Sequence, residues 1–266
     1  MVNDMYPFIF IGDTVIRTQF ILIITGIIIG FLILLNNINH LDKKIKLSIL
    51  LFAVLIFIPF LTGGWLGYEI ENFISNKNFC FSKESFFNSF SLLWGLGLAT
   101  IFAFPTAKIF KLNVWSIADY FSISISAGGF FAKLGCLFNG CCFGIPAPDS
   151  FPFGIYYPFN SYPQSLFGDV RFYPSQLFES IAWLFILIFL IFKNKNKKFD
   201  GELIILMAFL FAIFRFLIEF TRFHLTKSFL STGQILSIII IFIAIITYYF
   251  RHIYQKSYKK LDKTPK

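Results

Sequence analysis

About seven apolar runs, each long enough to cross a lipid bilayer as a helix, constrain the fold of this chain most strongly. Hydrophobic residues make up 57% of the 266 residues and charged residues only 14%, whereas a soluble domain carries about 25% charged residues. Because a lipid-exposed backbone must satisfy its own hydrogen bonds, these runs are predicted to be helices. The sequence therefore predicts an all-α integral membrane protein with about seven transmembrane helices.

The predicted spans follow the apolar runs, and the fourth is interrupted by Gly128 and Gly129. The spans cover residues 19–35, 47–66, 89–105, 115–138, 175–192, 203–220 and 230–250. All belong to one predicted polytopic domain, 1–266. Two longer segments, 67–88 and 144–174, are predicted to lie on the outer side. The second is rich in proline and aromatic residues, which disfavours a regular helix and suits a membrane-surface cap.

Lysine and arginine crowd alternate loops, and this pattern sets the predicted orientation. The crowded loops and tail contain Lys43, Lys44, Lys46, Lys108, Lys111, Lys193, Lys195, Lys197, Lys198, Arg251, Lys256, Lys259, Lys260, Lys263 and Lys266. By the positive-inside rule the N-terminus is outside and residues 251–266 form a basic cytoplasmic tail. The net charge of +9 is therefore assigned to topology, and no nucleic-acid partner is expected.

Ionisable residues inside spans are costly and mark functional candidates. Arg215, Glu219 and Arg222 are spaced by four and then three residues, so they share one helix face. Arg215 and Glu219 are expected to pair. Two guanidinium groups around one carboxylate suit a lipid phosphate. The alternative is a structural ion pair, with Arg222 extending to the membrane surface.

A second candidate group closes the fourth span and contains Lys133, Asn139 and Gly140. Three cysteines, Cys136, Cys141 and Cys142, lie among these residues. The cysteines are interpreted as inert apolar residues, as a disulfide, or as nucleophiles or metal ligands. Adjacent cysteines point in different directions on a regular backbone, and the other spacing matches zinc motifs poorly.

A third group enters the fifth span after a proline. Gln176 and Glu179 are three residues apart and share a helix face. Glu179 is expected to pair with Lys133 or with an arginine of the sixth span. The alternative is an acidic residue that favours the helix N-terminus electrostatically.

Five motifs follow one another along the chain. The first is Phe-Ile-Phe-Ile-Gly at 8–12, and the second is Lys-Leu-Gly-Cys-Leu-Phe-Asn-Gly at 133–140. The third is Pro-Ser-Gln-Leu-Phe-Glu at 174–179. The last two are Arg-Phe-Leu-Ile-Glu-Phe-Thr-Arg at 215–222 and Gly-Gln-Ile-Leu-Ser at 233–237. In order and spacing, these motifs resemble those of the prolipoprotein diacylglyceryl transferase family of bacteria.

The chain departs from the family pattern at specific positions. The arginine of the family signature is Lys133 here, its first asparagine is Cys136, and its glutamate is Cys141. The family's His-Gly-Gly segment has no histidine counterpart at 94–97, Trp-Gly-Leu-Gly. These differences allow a divergent paralogue with another donor or acceptor.

The resemblance implies transfer of a diacylglyceryl group from phosphatidylglycerol to the cysteine thiol in the signal peptide of a prelipoprotein. It implies a multi-pass protein of the bacterial cytoplasmic (inner) membrane with its site toward the outer face. The expected partners are phosphatidylglycerol, prelipoprotein signal peptides and the lipid bilayer. No cofactor and no metal are expected.

Roles follow from this implied chemistry, because a leaving phosphate needs positive charge and the thiol must lose a proton. The catalytic candidates are Arg215, Glu219, Arg222 and Lys133, and the substrate-binding candidates are Asn139, Gly140, Gln176, Glu179, Gly233 and Gln234. Arg222 is the first candidate to bind the lipid headgroup, and Arg215 with Glu219 is expected to set the shape of the site. The base is Glu219, Glu179, water or His224, unless the positive field alone lowers the thiol pKa.

A second hypothesis belongs to another class of protein. It is a non-transferase membrane protein with a thiol-redox or metal-handling role centred on Cys136, Cys141 and Cys142. The two hypotheses differ in which substitutions abolish activity. The transferase should require Arg215, Glu219 and Arg222, whereas the redox or metal-handling protein should require the cysteines.

Overall fold

The computed structural model describes residues 7–11, 14–76, 91–158, 161–224 and 229–261. The chain begins with two short antiparallel strands, β1 (Phe8–Ile11) and β2 (Thr14–Arg17), which pair Phe8 with Arg17. The sequence analysis predicted helices only, so this pair is a small correction to an otherwise helical fold. β-branched and aromatic residues favour such strands.

Helices form the rest of the regular structure in the described parts of the chain. They are α1 (Thr18–Asn37), α2 (Lys43–Asn76), α3 (Leu92–Ile109), α4 (Val114–Asn139), α5 (Tyr162–Phe167), α6 (Ser175–Asn194), α7 (Glu202–Ile218) and α8 (Thr232–Leu261), with a 3₁₀ turn at Glu219–Thr221. Six of the long helices are long and apolar enough to cross a membrane, namely α1, α2, α4, α6, α8 and α7 with its 3₁₀ turn. The prediction of an integral membrane protein built from helices is confirmed apart from the strand pair β1–β2, and the count of seven spans stays a prediction.

Two helix ends and one predicted interruption differ clearly from the expectation. α2 continues to Asn76, so the segment predicted to leave the membrane at residue 67 starts as helix. α8 continues to Leu261 through the basic tail. α4 is continuous through Gly128 and Gly129, so the predicted interruption is wrong. Cys80 and residue 12 of the opening motif lie outside the described residues.

Close helix packing explains Gly26 and Gly30 of α1 and Gly129 of α4. A Cβ added at Gly26 of α1 would lie 2.9 Å from the Cβ of Phe131, and one at Gly30 would lie 3.0 Å from the carbonyl oxygen of Ser124. On the other side, a Cβ at Gly129 would lie 2.6 Å from the indole of Trp183 in α6. Small residues let helix backbones approach closely in membranes. The glycines therefore bring α1 and α6 against α4 without breaking it.

The described residues form two compact units, within Met1–Asn37 with Ala118–Lys266 and within Ile38–Ile117. In the second unit α2 packs against α3, where an added Cβ at Gly63 would lie 2.7 Å from the Cβ of Leu98. In the first unit a buried apolar core joins α4, α6 and α7. Its fully buried members are Ile123, Ile186, Leu190 and Leu203.

The described residues between α4 and α6 form a folded aromatic layer, in which α5 is the one helix. Phe143, Tyr157 and Phe172 form its buried centre. Phe172 pairs by isolated bridges with Pro146 and Ile155. Gly144 pairs in the same way with Arg222. This layer therefore fixes the backbone of Arg222 at the end of α7.

The N-terminal end of α7 carries a separate polar cluster that the sequence analysis missed. Asp119 is 1% exposed, and it accepts hydrogen bonds from the backbone N–H groups of Gly201, Leu203 and Ile204 at 2.8–3.1 Å. Lys197 lies 3.1 Å from the same carboxylate. A carboxylate at a helix N-terminus satisfies the free N–H groups there, which gives Asp119 a structural role.

Candidate active site

Glu179 forms ion pairs with three cations. It is buried in the second turn of α6. Its Oε2 lies 2.7 Å from Nζ of Lys133 and 3.3 Å from Nη1 of Arg222, and its Oε1 lies 2.7 Å from Nη1 of Arg215. The pairing expected with Lys133 or an arginine is therefore confirmed for all three partners. α4, α6 and α7 are joined at this one carboxylate.

Glu219 is a second buried carboxylate, placed in the 3₁₀ turn after α7. Its Oε2 lies 2.9 Å from Nη2 of Arg215 and 3.9 Å from Nε of Arg222. The predicted pair of Arg215 with Glu219 is confirmed. On the other oxygen, Ser231 donates a hydrogen bond at 2.8 Å and Nε2 of His224 lies at 3.3 Å.

The cluster has an excess of positive charge on its accessible side. Three cations surround two carboxylates, which leaves one net positive charge with His224 neutral. The carboxylate side chains are 2–3% exposed, whereas those of Lys133 and Arg215 are 20% exposed and that of Arg222 is 14% exposed. An approaching ligand therefore meets cations, and the arrangement suits an anion such as a phosphate.

The backbone around Arg222 is locked by the layer that precedes α6. Ser175 donates a hydrogen bond to the carbonyl of Thr221 at 2.9 Å, and Phe223 N–H donates to the carbonyl of Phe143 at 3.2 Å. A Cβ added at Gly144 would overlap the carbonyl of Tyr173. The site therefore needs glycine at 144, where a side chain would push apart the paired backbone segments that hold Arg222.

Gln176 is fully buried and holds the neighbouring loop in place. Its amide donates to the carbonyl of Cys141 at 2.8 Å and pairs with the hydroxyl of Tyr157. Burial raises the pKa of Tyr157 well above its usual range. A neutral hydroxyl and a neutral amide suit a positioning role, because neither adds charge to the site. No local pattern predicts the contact with Tyr157, because Tyr157 lies 19 residues from Gln176 along the chain.

Two left-handed residues shape the loop after α4. Asn139 ends the helix, Gly140 has φ +72° and Cys142 has φ +60°. This conformation costs a non-glycine residue about 1–2 kcal/mol. It turns the chain so that the sulfur atoms of Cys136, Cys141 and Cys142 all lie within 4.8 Å of one another. The expectation that adjacent Cys141 and Cys142 diverge is therefore wrong, because it assumed a regular backbone.

The three thiols are free and border the cationic cluster. Hydrogen bonds with Cys136 and Cys141, together with the charges of Lys133 and Arg222, lower the pKa of the Cys142 thiol despite its burial. Burial works against charge on Arg222, but Glu179, Cys142 and Glu219 together raise the pKa of its guanidinium. The disulfide interpretation therefore finds no support in this structure, where all three are free.

Gly233 lies against Glu219, and Gln234 caps the start of α8. Gln234 accepts from the N–H of Ser231 at 3.0 Å, and Ser231 accepts from the N–H of Gln234 at 3.1 Å, which is a capping box at the start of α8. A Cβ added at Gly233 would overlap the carboxylate of Glu219. The pattern Ser-x-x-Gln at 231–234 signals this cap in the sequence, but the sequence analysis did not use it.

A family model described as "Prolipoprotein diacylglyceryl transferase" matches residues 7–250 of the chain. This chain belongs to that family. The match covers every residue of the cluster described above. The family resemblance inferred from the five motifs is thereby confirmed.

Several curated relatives are named phosphatidylglycerol–prolipoprotein diacylglyceryl transferase. One from Campylobacter curvus is 37% identical over 162 residues, covering 59% of this chain and 54% of that protein. One from Campylobacter hominis is 38% identical over 144 residues, covering 52% and 47%. One from Clostridium perfringens is 34% identical over 141 residues, covering 52% and 53%. The chain spans about half the length of these relatives, and the matches do not favour the non-transferase hypothesis.

Proposed function

We propose that this protein transfers a diacylglyceryl group from phosphatidylglycerol to the thiol of a cysteine in a prelipoprotein. The thiol loses its proton, and its sulfur attacks the glyceryl carbon next to the phosphate. The bond between that carbon and the phosphate ester oxygen breaks, and glycerol phosphate leaves with the electron pair. The products are a thioether and a phosphate monoester.

One observation carries this proposal: three cations converge on two buried carboxylates at the motifs that identify the family. Preorganised positive charge stabilises a leaving phosphate, because it need not reorganise during the reaction. The net positive charge of the cluster suits the phosphate of phosphatidylglycerol. A phosphate monoester gains negative charge as it leaves, so the cluster binds the departing group more strongly than the intact lipid.

The contact distances assign different roles to the two arginines. Arg215 directs one terminal nitrogen to Glu179 and the other to Glu219, at 2.7 and 2.9 Å, so it serves as a positioning residue. Arg222 makes longer contacts to the same carboxylates, at 3.3 and 3.9 Å. It is therefore the arginine that can turn toward a phosphate at lower cost. Lys133, which is also partly exposed, supplies the second positive contact.

We assign the base to His224. Its Nε2 lies 3.3 Å from Glu219, and its side chain is 35% exposed. A buried carboxylate that orients an imidazole and stabilises its protonated form is a recurring arrangement in nucleophilic catalysis. Glu179 is less suited, because three cations already surround it.

The proposed topology has seven spans in the bacterial inner membrane, with the N-terminus outside and the C-terminus in the cytoplasm. The last turn of α6 carries Lys193, and the loop that precedes α7 carries Lys195, Lys197 and Lys198. The positive-inside rule places these residues in the cytoplasm. The cationic cluster lies at the other end of α7. The site is therefore proposed to open toward the outer face, where prelipoproteins emerge.

The test is complementation in bacteria depleted of their own diacylglyceryl transferase. Thioether lipid on a reporter prelipoprotein is measured by gel shift and mass spectrometry. We expect lipidation with the wild-type chain, its loss with Arg222→Ala and its survival with Cys141→Ser. Absence of lipidation from a well-expressed, membrane-inserted wild-type protein overturns the proposal.

A further inference from the structure

Three cysteine sulfurs converge beside the cationic cluster without a role in the proposed transfer. The sulfur atoms of Cys136, Cys141 and Cys142 lie within 4.8 Å of one another. Cys136 comes from the last turn of α4, and the other two come from the loop that follows. All three are free and only partly buried, so small ions can reach them.

The separation of the sulfurs fits a single metal ion. Zinc–sulfur bonds are about 2.3 Å long, and tetrahedral coordination places two sulfurs on one ion about 3.8 Å apart. Sulfurs that lie within 4.8 Å of one another therefore need to approach by about 1 Å or less to share one ion. Thiolates select thiophilic d¹⁰ ions over the hard cations that carboxylates prefer. The group contains no carboxylate, so calcium and magnesium are poor candidates.

The backbone conformation of the loop brings the three cysteine sulfurs together. Neighbouring side chains on a helix or strand diverge, and Cys141 and Cys142 would do so on either. The left-handed conformations of Gly140 and Cys142 remove that divergence. Gln176 then fixes the loop by donating to the carbonyl of Cys141 at 2.8 Å. Unfavourable backbone conformations held by surrounding structure cluster at functional sites.

We propose that Cys136, Cys141 and Cys142 form a binding site for one thiophilic d¹⁰ metal ion, with Zn²⁺ as the representative ligand. Three thiols bind the ion as thiolates and release three protons to solvent. The resulting complex carries one net negative charge. Lys133 and Arg222 are the neighbouring cations that compensate it.

The site adds to the proposed transferase and does not replace it. Metal binding itself does not depend on the proposed function, but its consequence for transfer does. A negatively charged metal–thiolate group competes with a phosphate for the same cation, Arg222. An occupied site is therefore expected to slow transfer of the diacylglyceryl group.

The experiment measures zinc on the purified full-length chain in detergent, without lipid substrate. The protein is reduced with a reagent that does not bind metal, equilibrated with Zn²⁺, desalted and analysed by elemental mass spectrometry. We expect about one zinc ion per chain, as for a single three-thiolate site. Replacing Zn²⁺ with Co²⁺ should produce a sulfur-to-metal charge-transfer absorption band.

Matched serine variants identify the ligands. Cys136→Ser/Cys141→Ser/Cys142→Ser should retain less than about a tenth of the metal and show no cobalt band, because hydroxyls are poor ligands for these ions. Cys141→Ser alone should bind zinc at least about tenfold more weakly. Cys80→Ser serves as the control with the same chemical change elsewhere, and it should bind as the wild type does.

Three outcomes overturn the proposal: a wild-type chain that binds no zinc, a triple variant that binds as much as the wild type, or a native disulfide among the three cysteines. Transfer activity is assayed separately on metal-free wild-type protein prepared with a chelator, because bound zinc is expected to slow transfer. Zinc bound without any transfer supports the metal site and overturns the proposed function. Transfer without zinc binding supports the proposed function and overturns the metal site.

Discussion

Arg215 and Glu179 meet across two helices, with Nη1 of the arginine 2.7 Å from Oε1 of the carboxylate. Because the other terminal nitrogen of Arg215 reaches Glu219 at 2.9 Å, one guanidinium connects both buried acids. Each of these groups is expensive to place in a membrane alone. Together they form a network in which every member depends on the others, so single substitutions there should affect stability as well as activity.

Glu179→Gln should destabilise the protein. It removes the one negative charge shared by Lys133, Arg215 and Arg222, and it leaves three partly buried cations facing one another. Breaking a buried ion pair costs about 3–5 kcal/mol, and partial exposure of the cations should reduce the loss to about 2–3 kcal/mol. Thermal unfolding in detergent measures the change. Asp169→Asn, at an exposed position, is the control, and an equal Tm in both variants would contradict the role of Glu179.

Arg222→Ala should lower the rate of lipid transfer about 10²- to 10³-fold, as loss of a preorganised donor to a developing charge does. Arg222→Lys should recover part of this rate, because lysine keeps the charge but not the planar fork. The measurement is the initial rate of thioether formation on a reporter signal peptide in mixed micelles. A rate for Arg222→Ala within threefold of wild type would argue against a role in holding the phosphate.

The sequence determines part of this site through local spacing. The separations of Arg215, Glu219 and Arg222 predicted that these residues would lie together, and both arginines pair with Glu219. They do not share one helix face, because α7 ends at Ile218 and Arg222 follows the 3₁₀ turn in an extended conformation. The convergence of three cations on Glu179 depends on how α4, α6 and α7 pack, which no local pattern specifies. The grouping of the cysteines depends on left-handed backbone at Gly140 and Cys142. A non-glycine residue such as Cys142 gives no sign of that conformation in advance.

The apolar runs predicted the helices well because the bilayer imposes one length and one kind of structure. Their ends were harder to predict, since helices continue beyond the lipid, as α2 and α8 do. Asp119 shows another limit. Its carboxylate lies inside a predicted span, where an ionisable group is energetically costly. Only the folded structure shows that this carboxylate caps the N-terminus of α7.

His224→Gln should slow transfer while leaving the fold intact, because the amide cannot accept the thiol proton. A contribution of about 10²-fold or more is typical of general base catalysis. The rate is measured with saturating reporter peptide, so that a change in binding does not obscure the result. His252→Gln is the matched control, since His252 stacks on Tyr248 at the far end of α8. Equal rates in the two variants would indicate that Glu219 or water acts as the base instead of His224.

Gly233→Ala should destabilise the protein and reduce transfer together. The new methyl group would overlap the carboxylate of Glu219, which must then move away from Arg215 and His224. Gly97→Ala is the same substitution in another helix, at a position where an added Cβ meets no atom within 4 Å. There alanine should stabilise the helix by about 0.5–1 kcal/mol. Opposite shifts in Tm for the two variants are expected, and a stabilising effect at Gly233 would show that Glu219 is not held by this close approach.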